Sequence, residues 1–445
     1  MTSVVSSDAA STVASSAAEL LARHKQVMPS WLALYYDEPI ELVRGEGTRV
    51  WDSAGNEYLD FFGGIVTTIS GHAVEKLVNV LAEQAAKITH TSTLYLIRPM
   101  VELAERLTGM APVQMPAKAF FVGSGTEAVE AALLFATTMR RSNEVIALRN
   151  SYHGRSFGAI GVTGNKSWSA SSFSPLNVSY ALGPYCYRCP LHLSYPSCGV
   201  ACAEDVRNVI ETTTTGEPAA MIAEPIQGVG GFITPPPDYF TAVKGILDEY
   251  GIPLIIDEVQ TGFGRTGEAF WGAEGYNVTP DAIVCAKGLG NGMAIGAVVG
   301  RSEMIDSLRA NSISTFGGNP LASTWALANL DNIRDNDLQG NAKRVGAYLF
   351  KGLQALKEKH EIVGDVRGKG LMVGIELVKD KQSKEPNVKA AGHVMETCKQ
   401  RGVLVGKGGT YGNVLRLAPP LIITEDEAQR AIDALDAGFA AAKGA

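Results

Sequence analysis

Two segments of the chain decide its fold: Pro253-Leu254-Ile255-Ile256-Asp257 and Ala282-Ile283-Val284-Cys285-Ala286-Lys287, whose last residues lie thirty positions apart. In each, a short apolar run of the kind that forms a buried parallel strand is followed by its first charged residue. In open α/β sheets, ligands bind in the crevice beyond the carboxyl ends of the strands. We therefore expect Asp257 and Lys287 to project into one pocket from neighbouring strands.

A buried amine that faces a buried carboxylate suits the cofactor pyridoxal phosphate (PLP). This cofactor needs a lysine to form an imine with its aldehyde, and it needs an acid that keeps its ring nitrogen protonated. The alternative is an ordinary ion pair at two strand ends, because structural networks of charges are also common. Three further segments bear on this choice.

The first is Gly123-Ser124-Gly125-Thr126, which lies between an apolar strand at residues 119–122 and a helical pattern at residues 127–140. Gly125 and Thr126 would offer backbone N–H groups and a hydroxyl at a helix N-terminus, where the dipole and the unpaired donors favour a phosphate. Alone, this pattern is more often a plain strand-to-helix turn.

The other two segments are Asn150-Ser151-Tyr152-His153-Gly154-Arg155, which follows an apolar strand, and the polar loop Ser314-Thr315-Phe316-Gly317-Gly318-Asn319-Pro320. Tyr152 has a ring that can stack on a flat heteroaromatic cofactor, although alone it would be interpreted as a core residue. Thr315 offers a second hydroxyl for a phosphate.

Together, these segments resemble the class III aminotransferases, PLP enzymes that act mainly on ω-amino groups and on alanine-type donors. The resemblance spans residues 39–427, and its most specific parts, residues 257–265, 286–288 and 315–320, have the order and spacing of that family. It implies the α/β fold of the PLP-dependent transferases (aspartate aminotransferase-like), with a large, mostly parallel-sheet cofactor domain and a smaller α/β domain.

The resemblance also implies a role for each matching residue. Lys287 is expected to be the Schiff-base lysine and proton shuttle, and Asp257 the partner of the ring nitrogen. Of the remaining residues, Tyr152 and Val259 would cover the two ring faces. The full set expected to contact the cofactor is Ser124, Gly125, Thr126, Tyr152, His153, Glu224, Asp257, Val259, Gln260, Lys287 and Thr315.

In this family, the threonine that matches Thr315 reaches the phosphate of the neighbouring subunit. The resemblance therefore implies a homodimer, or a dimer of dimers, whose active sites are shared between subunits.

Gln260 is expected to contact the ring hydroxyl.

Two further residues are expected to choose the substrate. Arg416 carries a planar fork that matches a carboxylate, so it is a candidate clamp for the carboxylate of an amino acid or oxo acid. The alternative is an ordinary surface arginine. In the family, the corresponding arginine swings between the substrate carboxylate and the glutamate that matches Glu224.

Three further segments indicate which branch of the family this chain resembles most. Residues 62–68, 90–93 and 405–409 resemble most the alanine-glyoxylate aminotransferase 2 branch, but Ala73-Val74 stands where that branch usually has His-Pro. The expected reaction is ping-pong transfer of an amino group from a small amino acid or ω-amine (alanine, β-alanine or 4-aminobutyrate type) to a 2-oxo acid (glyoxylate, pyruvate or 2-oxoglutarate). A PLP-dependent phospholyase or amino-acid epimerase on the same scaffold is the alternative. A more distant alternative is a non-catalytic protein that kept the fold for binding or assembly.

Length and pattern divide the chain. Its 445 residues exceed what one hydrophobic core usually serves. We expect a mobile tail at residues 1–18, an N-terminal segment at 19–74 that packs with the small domain, the large PLP-binding domain at 75–328 and the small domain at 329–445. Within the small domain, we expect one helix from about residue 329 through 356 and a capping box at Thr424-Glu425-Asp426-Glu427.

Charge and hydropathy exclude some partners. The net charge is −7 and no basic stripe is present, so a nucleic acid is not expected. Apolar runs are too short to span a membrane. Residues 1–18 contain neither Lys nor Arg, which fits neither a secretory signal nor a mitochondrial presequence, so we expect a cytoplasmic protein.

Four of the six cysteines form a cluster of two pairs, Cys186 with Cys189 and Cys198 with Cys202. Paired thiolates of this kind can hold a structural zinc ion, although the gap between the pairs is short for that purpose. The alternative, reduced cysteines in an insertion, is the one we adopt, because no catalytic step needs a metal. We therefore expect no metal site.

Overall fold

The computed structural model describes residues 17–171 and 173–442, so nearly all of the expected tail at residues 1–18 lies outside the described residues. A seven-stranded sheet, the central sheet, forms the largest layer. Only Gly296–Arg301 runs against its neighbours. The strands, in spatial order, are Ala117–Val122, Gly296–Arg301, Ala282–Cys285, Leu254–Asp257, Ala220–Ala223, Glu144–Leu148 and Asn177–Ala181.

The strands that precede Asp257 and Lys287 lie side by side. Leu254–Asp257 and Ala282–Cys285 are parallel neighbours, with Asp257 opposite Val284, and every residue in both strands is buried. Burial on both faces explains why these strands are continuously apolar instead of alternating. Asp257 ends its strand and Lys287 follows the next one by two residues, so the prediction of neighbouring strand ends is confirmed.

Helices cover the central sheet on both faces, as its parallel connections require. The first helix of the described chain, Ala17–Val27, contributes no buried residue. None of the described helices combines the length and the apolar character that crossing a bilayer requires. The other helices before the C-terminal part of the chain are Gly63–Val66, Glu75–Lys87, Arg98–Met110, Gly125–Arg140, Phe157–Gly161, Ala201–Thr213, Tyr239–Glu249 and Ser302–Ile305.

A second sheet joins the two ends of the chain. The antiparallel strands Leu42–Glu46, Arg49–Asp52 and Glu57–Asp60 are extended by Val403–Leu404, which pairs in parallel with Glu57–Asp60. The third sheet is antiparallel and contains Val363–Lys369, Met372–Leu377, Val414–Leu417 and Gly406–Gly408, in that order. The helices of this part are Pro320–Asp335, Leu338–Lys359, Val388–Gln400 and Glu425–Ala441.

The expected single helix from residue 329 through 356 is wrong. The chain forms two helices there, Pro320–Asp335 and Leu338–Lys359, because Asp337 has a φ of 45° and its side chain caps the second helix by accepting from the Gly340 N–H. The expected division between residues 328 and 329 therefore falls inside the first of these helices. The capping box is confirmed, since Thr424 and Glu427 each accept from the other's backbone N–H.

Candidate active site

A cavity of about 410 Å³ opens at the carboxyl ends of the central strands. Such a position is where ligands bind in open α/β sheets. Its lining brings together ten of the residues that the sequence analysis selected: Ser124, Gly125, Thr126, Tyr152, His153, Glu224, Asp257, Val259, Gln260 and Lys287.

Lys287 lies in this cavity on a tight turn, with a φ of 25°. Burial lowers the pKa of Lys287 to about 8, against the opposing effect of the Asp257 carboxylate. The turn is fixed from the neighbouring helix, because the Asn329 side chain donates to the carbonyl oxygens of Gly288 (2.8 Å) and Leu289 (3.1 Å). Asn329 was missed by the sequence analysis, since it lies in a helix without a motif.

Asp257 is held by two donors. Its Oδ2 lies 2.7 Å from Nδ1 of His153, and its Oδ1 accepts from the Val259 N–H at 3.0 Å. Both side chains of the His153–Asp257 pair are buried. This pairing keeps a negative charge at one end of the cavity, where a cationic ring nitrogen can meet it.

The other end of the cavity is the N-terminus of the helix Gly125–Arg140, capped by Ser124. The Thr126 hydroxyl accepts from the N–H groups of Arg155 (3.1 Å) and Ser156 (3.3 Å), which draws the two loops together. Gly154 completes this contact, since a Cβ there would lie 2.4 Å from the Thr126 hydroxyl oxygen. A helix N-terminus with close backbone approach is suited to a phosphate.

The lining fits PLP in its middle as well as at its two ends. Gly125 packs closely against Val259, because a Cβ built on Gly125 would lie only 3.3 Å from the two Val259 methyl groups. The Tyr152 ring faces the same cavity and is braced by Trp168, another residue that the sequence analysis missed, at 5.6 Å in an edge-on contact. Among the described residues, the buried Oε1 of Gln260 has no hydrogen-bond partner, so it is available to a ring hydroxyl.

Glu224 is a buried carboxyl between two N–H donors, those of Tyr152 (2.9 Å) and Gly228 (2.8 Å). Burial raises the pKa of Glu224 to about 7, although the nearby His153 opposes this rise. A group with such a pKa changes its charge in the physiological range. Glu224 can therefore present either a neutral carboxyl group or a carboxylate to the cavity.

Arg416 is 2% exposed, so the alternative of a surface arginine is wrong. Its guanidinium lies over the rings of Phe62 (5.1 Å) and Phe232 (5.6 Å) and donates to the carbonyl oxygens of Lys407 (3.2 Å) and Gly228 (3.4 Å). Burial lowers the pKa of Arg416. The residue stands behind the cavity lining, next to the segment that holds Glu224.

Thr315 is exposed and does not line the cavity of its own chain. The backbone beside it is fixed, because a Cβ on Gly317 would lie 2.0 Å from the Phe121 carbonyl oxygen. The structure of one chain thus leaves Thr315 apart from the other expected phosphate ligands.

The four clustered cysteines line a separate, small apolar cavity and are free thiols. Burial raises the pKa of the Cys202 thiol to about 11, and the neighbouring thiols add to this rise. Within residues 17–171 and 173–442, no three His, Cys, Asp or Glu side chains are placed to hold a metal ion. Cys186 is exposed and the other three are partly buried.

Comparison with known proteins places these observations in a family. The model of the family "Aminotransferase class-III" matches residues 34–438. An alanine-glyoxylate aminotransferase 2 homologue of Arabidopsis thaliana is 40% identical, with 95% of this chain and 87% of that protein covered. A leucine/methionine racemase of Thermococcus litoralis is 39% identical, with 95% of each chain covered.

Solved structures agree with these sequence relatives. An aminotransferase of Bacillus anthracis superposes with a TM-score of 0.88 at 31% identity, covering 95% of this chain and 98% of that one. A PLP-bound amine transaminase from an uncultivated Pseudomonas species superposes with a TM-score of 0.87 at 34% identity, covering 94% and 98%. The fold expected from the sequence is confirmed, and the chain belongs to the class III aminotransferases, which depend on pyridoxal phosphate.

Proposed function

We propose that this protein is a PLP-dependent transaminase that moves an amino group from a small amino acid or ω-amine to a 2-oxo acid such as glyoxylate, pyruvate or 2-oxoglutarate. The observation that carries the proposal is Lys287, an amine whose pKa burial lowers to about 8 in the same cavity as the buried Asp257. The reaction is ping-pong, since one cavity serves the donor first and the acceptor afterwards.

Each end of the cavity has a proposed task. Bound PLP supplies an aldehyde that captures amines and a ring that takes up carbanion charge. Lys287 would attach the cofactor, and its Nζ would move a proton between the substrate carbon and the cofactor carbon, as a general base and acid whose pKa lies near the working pH. Asp257, held by His153, keeps the ring nitrogen cationic.

The N–H groups at Gly125 and Thr126, with the Ser124 segment, are the proposed phosphate ligands. Tyr152 and Val259 orient the ring from its two faces, and Gln260 accepts from its hydroxyl. These groups do no bond-making; they fix the angle at which the substrate carbon meets Lys287, which is the contribution of positioning to the rate.

Arg416 and Glu224 are the proposed substrate-selecting pair. To bind a carboxylate, Arg416 has to leave the two carbonyl oxygens to which it now donates. For a donor without a carboxylate in that position, the guanidinium pairs instead with ionised Glu224. This exchange lets one cavity accept an α-amino acid in one half-reaction and an ω-amine in the other.

The proposal includes a homodimer, or a dimer of dimers, in which Thr315 of each subunit completes the phosphate site of the neighbour. Its exposed position outside the cavity of its own chain supports this assignment. The proposed location is the cytoplasm, and subcellular fractionation tests it, since the Arabidopsis relative is named as mitochondrial.

An amino-acid epimerase is the second candidate, supported by the Thermococcus litoralis racemase among the relatives. It would use the same lysine, because a proton removed from an α-carbon can return on the other face. A phospholyase remains a third. A panel of alanine, β-alanine, 4-aminobutyrate and phosphoethanolamine distinguishes all three. Carbonyl product formed in step with acceptor amination supports transamination, whereas loss of optical activity without product, or release of phosphate, contradicts it.

A further inference from the structure

A tight turn at residues 228–232, the 228–232 turn, connects both members of the substrate-selecting pair. Its N–H at Gly228 donates to Glu224 (2.8 Å), and its carbonyl at Gly228 accepts from Arg416 (3.4 Å). The Phe232 ring at its far end lies under the same guanidinium. The position of this turn therefore sets the positions of both Glu224 and the resting Arg416.

The turn has little freedom to adapt to a displacement. Cβ atoms built on Gly228 and Gly230 would lie 2.4 Å from the Gln260 amide and 2.8 Å from the Asn150 carbonyl oxygen. Phe232 has a φ of 52°, a conformation that costs energy for a residue with a side chain and persists only where its surroundings hold it. Something must therefore hold the turn in place.

Arg367 is the polar side chain that holds the outer end of this turn. Its Nε donates to the Gly231 carbonyl oxygen at 3.0 Å, while its Nη1 donates to Asp365 (2.9 Å) and Glu376 (2.7 Å). Glu376 is fully buried, and Arg188 also donates to it, at 2.5 Å. The arginine is thus held by two carboxylates, of which Glu376 is fully buried, on one side and presents one N–H to the turn on the other.

We propose that Arg367 is a positioning residue for substrate recognition, which acts through the Gly231 carbonyl to place the 228–232 turn and so the Glu224–Arg416 pair. Arg367 does not line the cavity in which substrate and cofactor would bind. The inference rests on the proposed function, because it takes Arg416 as the group that binds the substrate carboxylate.

Substitution of Arg367 should affect substrate binding selectively. Loss of its guanidinium shifts the 228–232 turn, so recognition of the substrate carboxylate weakens, while Lys287, Asp257 and the phosphate end of the cavity stay in place. KM for alanine should rise about tenfold, the ratio that corresponds to one hydrogen bond of a charged group, with kcat within about twofold. Ethylamine, which is alanine without its carboxylate, should react at an unchanged single-turnover rate.

The test uses the holoenzyme with Arg367→Lys, which keeps the charge among Asp365 and Glu376 but lacks a fork that can also reach Gly231. Arg188→Met is the matched control, since Arg188 binds the same carboxylate but directs its other hydrogen bond to the Lys384 carbonyl oxygen and not to the turn. KM and kcat for alanine, the ethylamine rate and the visible cofactor spectrum are measured for each. Arg367→Lys should raise the alanine KM selectively, and Arg188→Met should leave it within about twofold of native.

Three results overturn the inference. Arg367→Lys could keep the native KM, it could slow alanine and ethylamine alike, or Arg188→Met could produce the same rise. Arg416→Ala separates this failure from that of the proposed function. If Arg416→Ala raises the alanine KM and Arg367→Lys does not, only the positioning role is wrong; if Arg416→Ala leaves the alanine KM unchanged, both are wrong.

Discussion

His153 Nδ1 lies 2.7 Å from Asp257 Oδ2, and both side chains are buried at the carboxyl end of the central sheet. An ionised carboxylate can only accept hydrogen bonds, so Nδ1 is the donor of this pair and holds the Asp257 carboxylate in position. The second oxygen of Asp257 is held by the Val259 N–H. A charge fixed in this way needs no reorganisation during a reaction, which is what electrostatic catalysis requires.

Replacing Asp257 by Asn should lower kcat by about 10²–10³ at saturating PLP, because the fixed negative charge is lost while the shape is kept. The measurement is steady-state transamination of alanine and pyruvate. Asp281→Asn is the control, since Asp281 is a buried carboxylate that binds backbone N–H of Leu254 at the opposite end of the sheet. An equal loss in both variants would show that the effect is one of stability.

Lys287→Ala should abolish turnover and the visible absorbance of the lysine-bound cofactor, since no other lysine lines the cavity within the described chain. Reduction with borohydride, followed by peptide mass analysis, should locate the cofactor on residue 287 of the native protein. Lys118→Ala removes an exposed, ion-paired lysine and serves as the control. Persistence of the absorbance in Lys287→Ala would assign the cofactor to another residue.

The lowered pKa of Lys287 predicts how cofactor capture depends on pH. Only the neutral amine attacks an aldehyde, and burial shifts the pKa to about 8, so the lysine is protonated below this pH and neutral above it. The capture rate of the apoenzyme should rise about tenfold per pH unit below pH 8 and level off above it. Stopped-flow absorbance checks this. A rise that continued towards pH 10 would mean that the pKa is not lowered.

The sequence predicted the meeting of Asp257 and Lys287 in one cavity, because the rule that applies there is local. Asp257 and Lys287 each follow an apolar strand, and parallel strands place their carboxyl ends at one edge. The resting contacts of Arg416 could not be read in this way. Its partner Gly228 is 188 residues away in sequence, and their meeting depends on how two sheets pack.

The single helix expected from residue 329 through 356 failed for a related reason. The helical pattern continues on both sides of Asp337, and neither glycine nor proline marks the break. The interruption comes from the left-handed backbone of Asp337 and from its side chain, which caps the second helix by accepting from the Gly340 N–H. The contacts of Asn329 and Arg367 were likewise invisible, since their hydrogen bonds go to backbone atoms distant in sequence.

Glu224→Gln should remove a pH-dependent preference between donors. Burial raises the pKa of Glu224 to about 7, so the carboxyl is neutral below that pH and, above it, ionised and able to pair with Arg416. The ratio of kcat/KM for 4-aminobutyrate to that for alanine should therefore rise through pH 7 in the native protein. In Glu224→Gln the ratio should be flat and about tenfold lower at pH 8, as loss of a charged partner implies. Taking the ratio cancels the titration of Lys287, which affects both donors.

Thr315 provides a test of the shared active site. Thr315→Ala should weaken PLP binding about tenfold or more, because one hydrogen bond to a charged phosphate is lost. Ser314→Ala, at the neighbouring position, is the control. Neither result alone shows which subunit uses the hydroxyl.

Mixed dimers of Thr315→Ala and Lys287→Ala subunits decide that question. The Thr315→Ala subunit keeps its lysine, and if Thr315 acts across the interface it receives the missing hydroxyl from its Lys287→Ala partner. At a PLP concentration that leaves Thr315→Ala unsaturated, random mixing should therefore restore about a quarter of the native sites, since half of the dimers are mixed and each has one complete site. If Thr315 served its own chain, mixing would restore nothing, because no subunit would hold both the lysine and the hydroxyl.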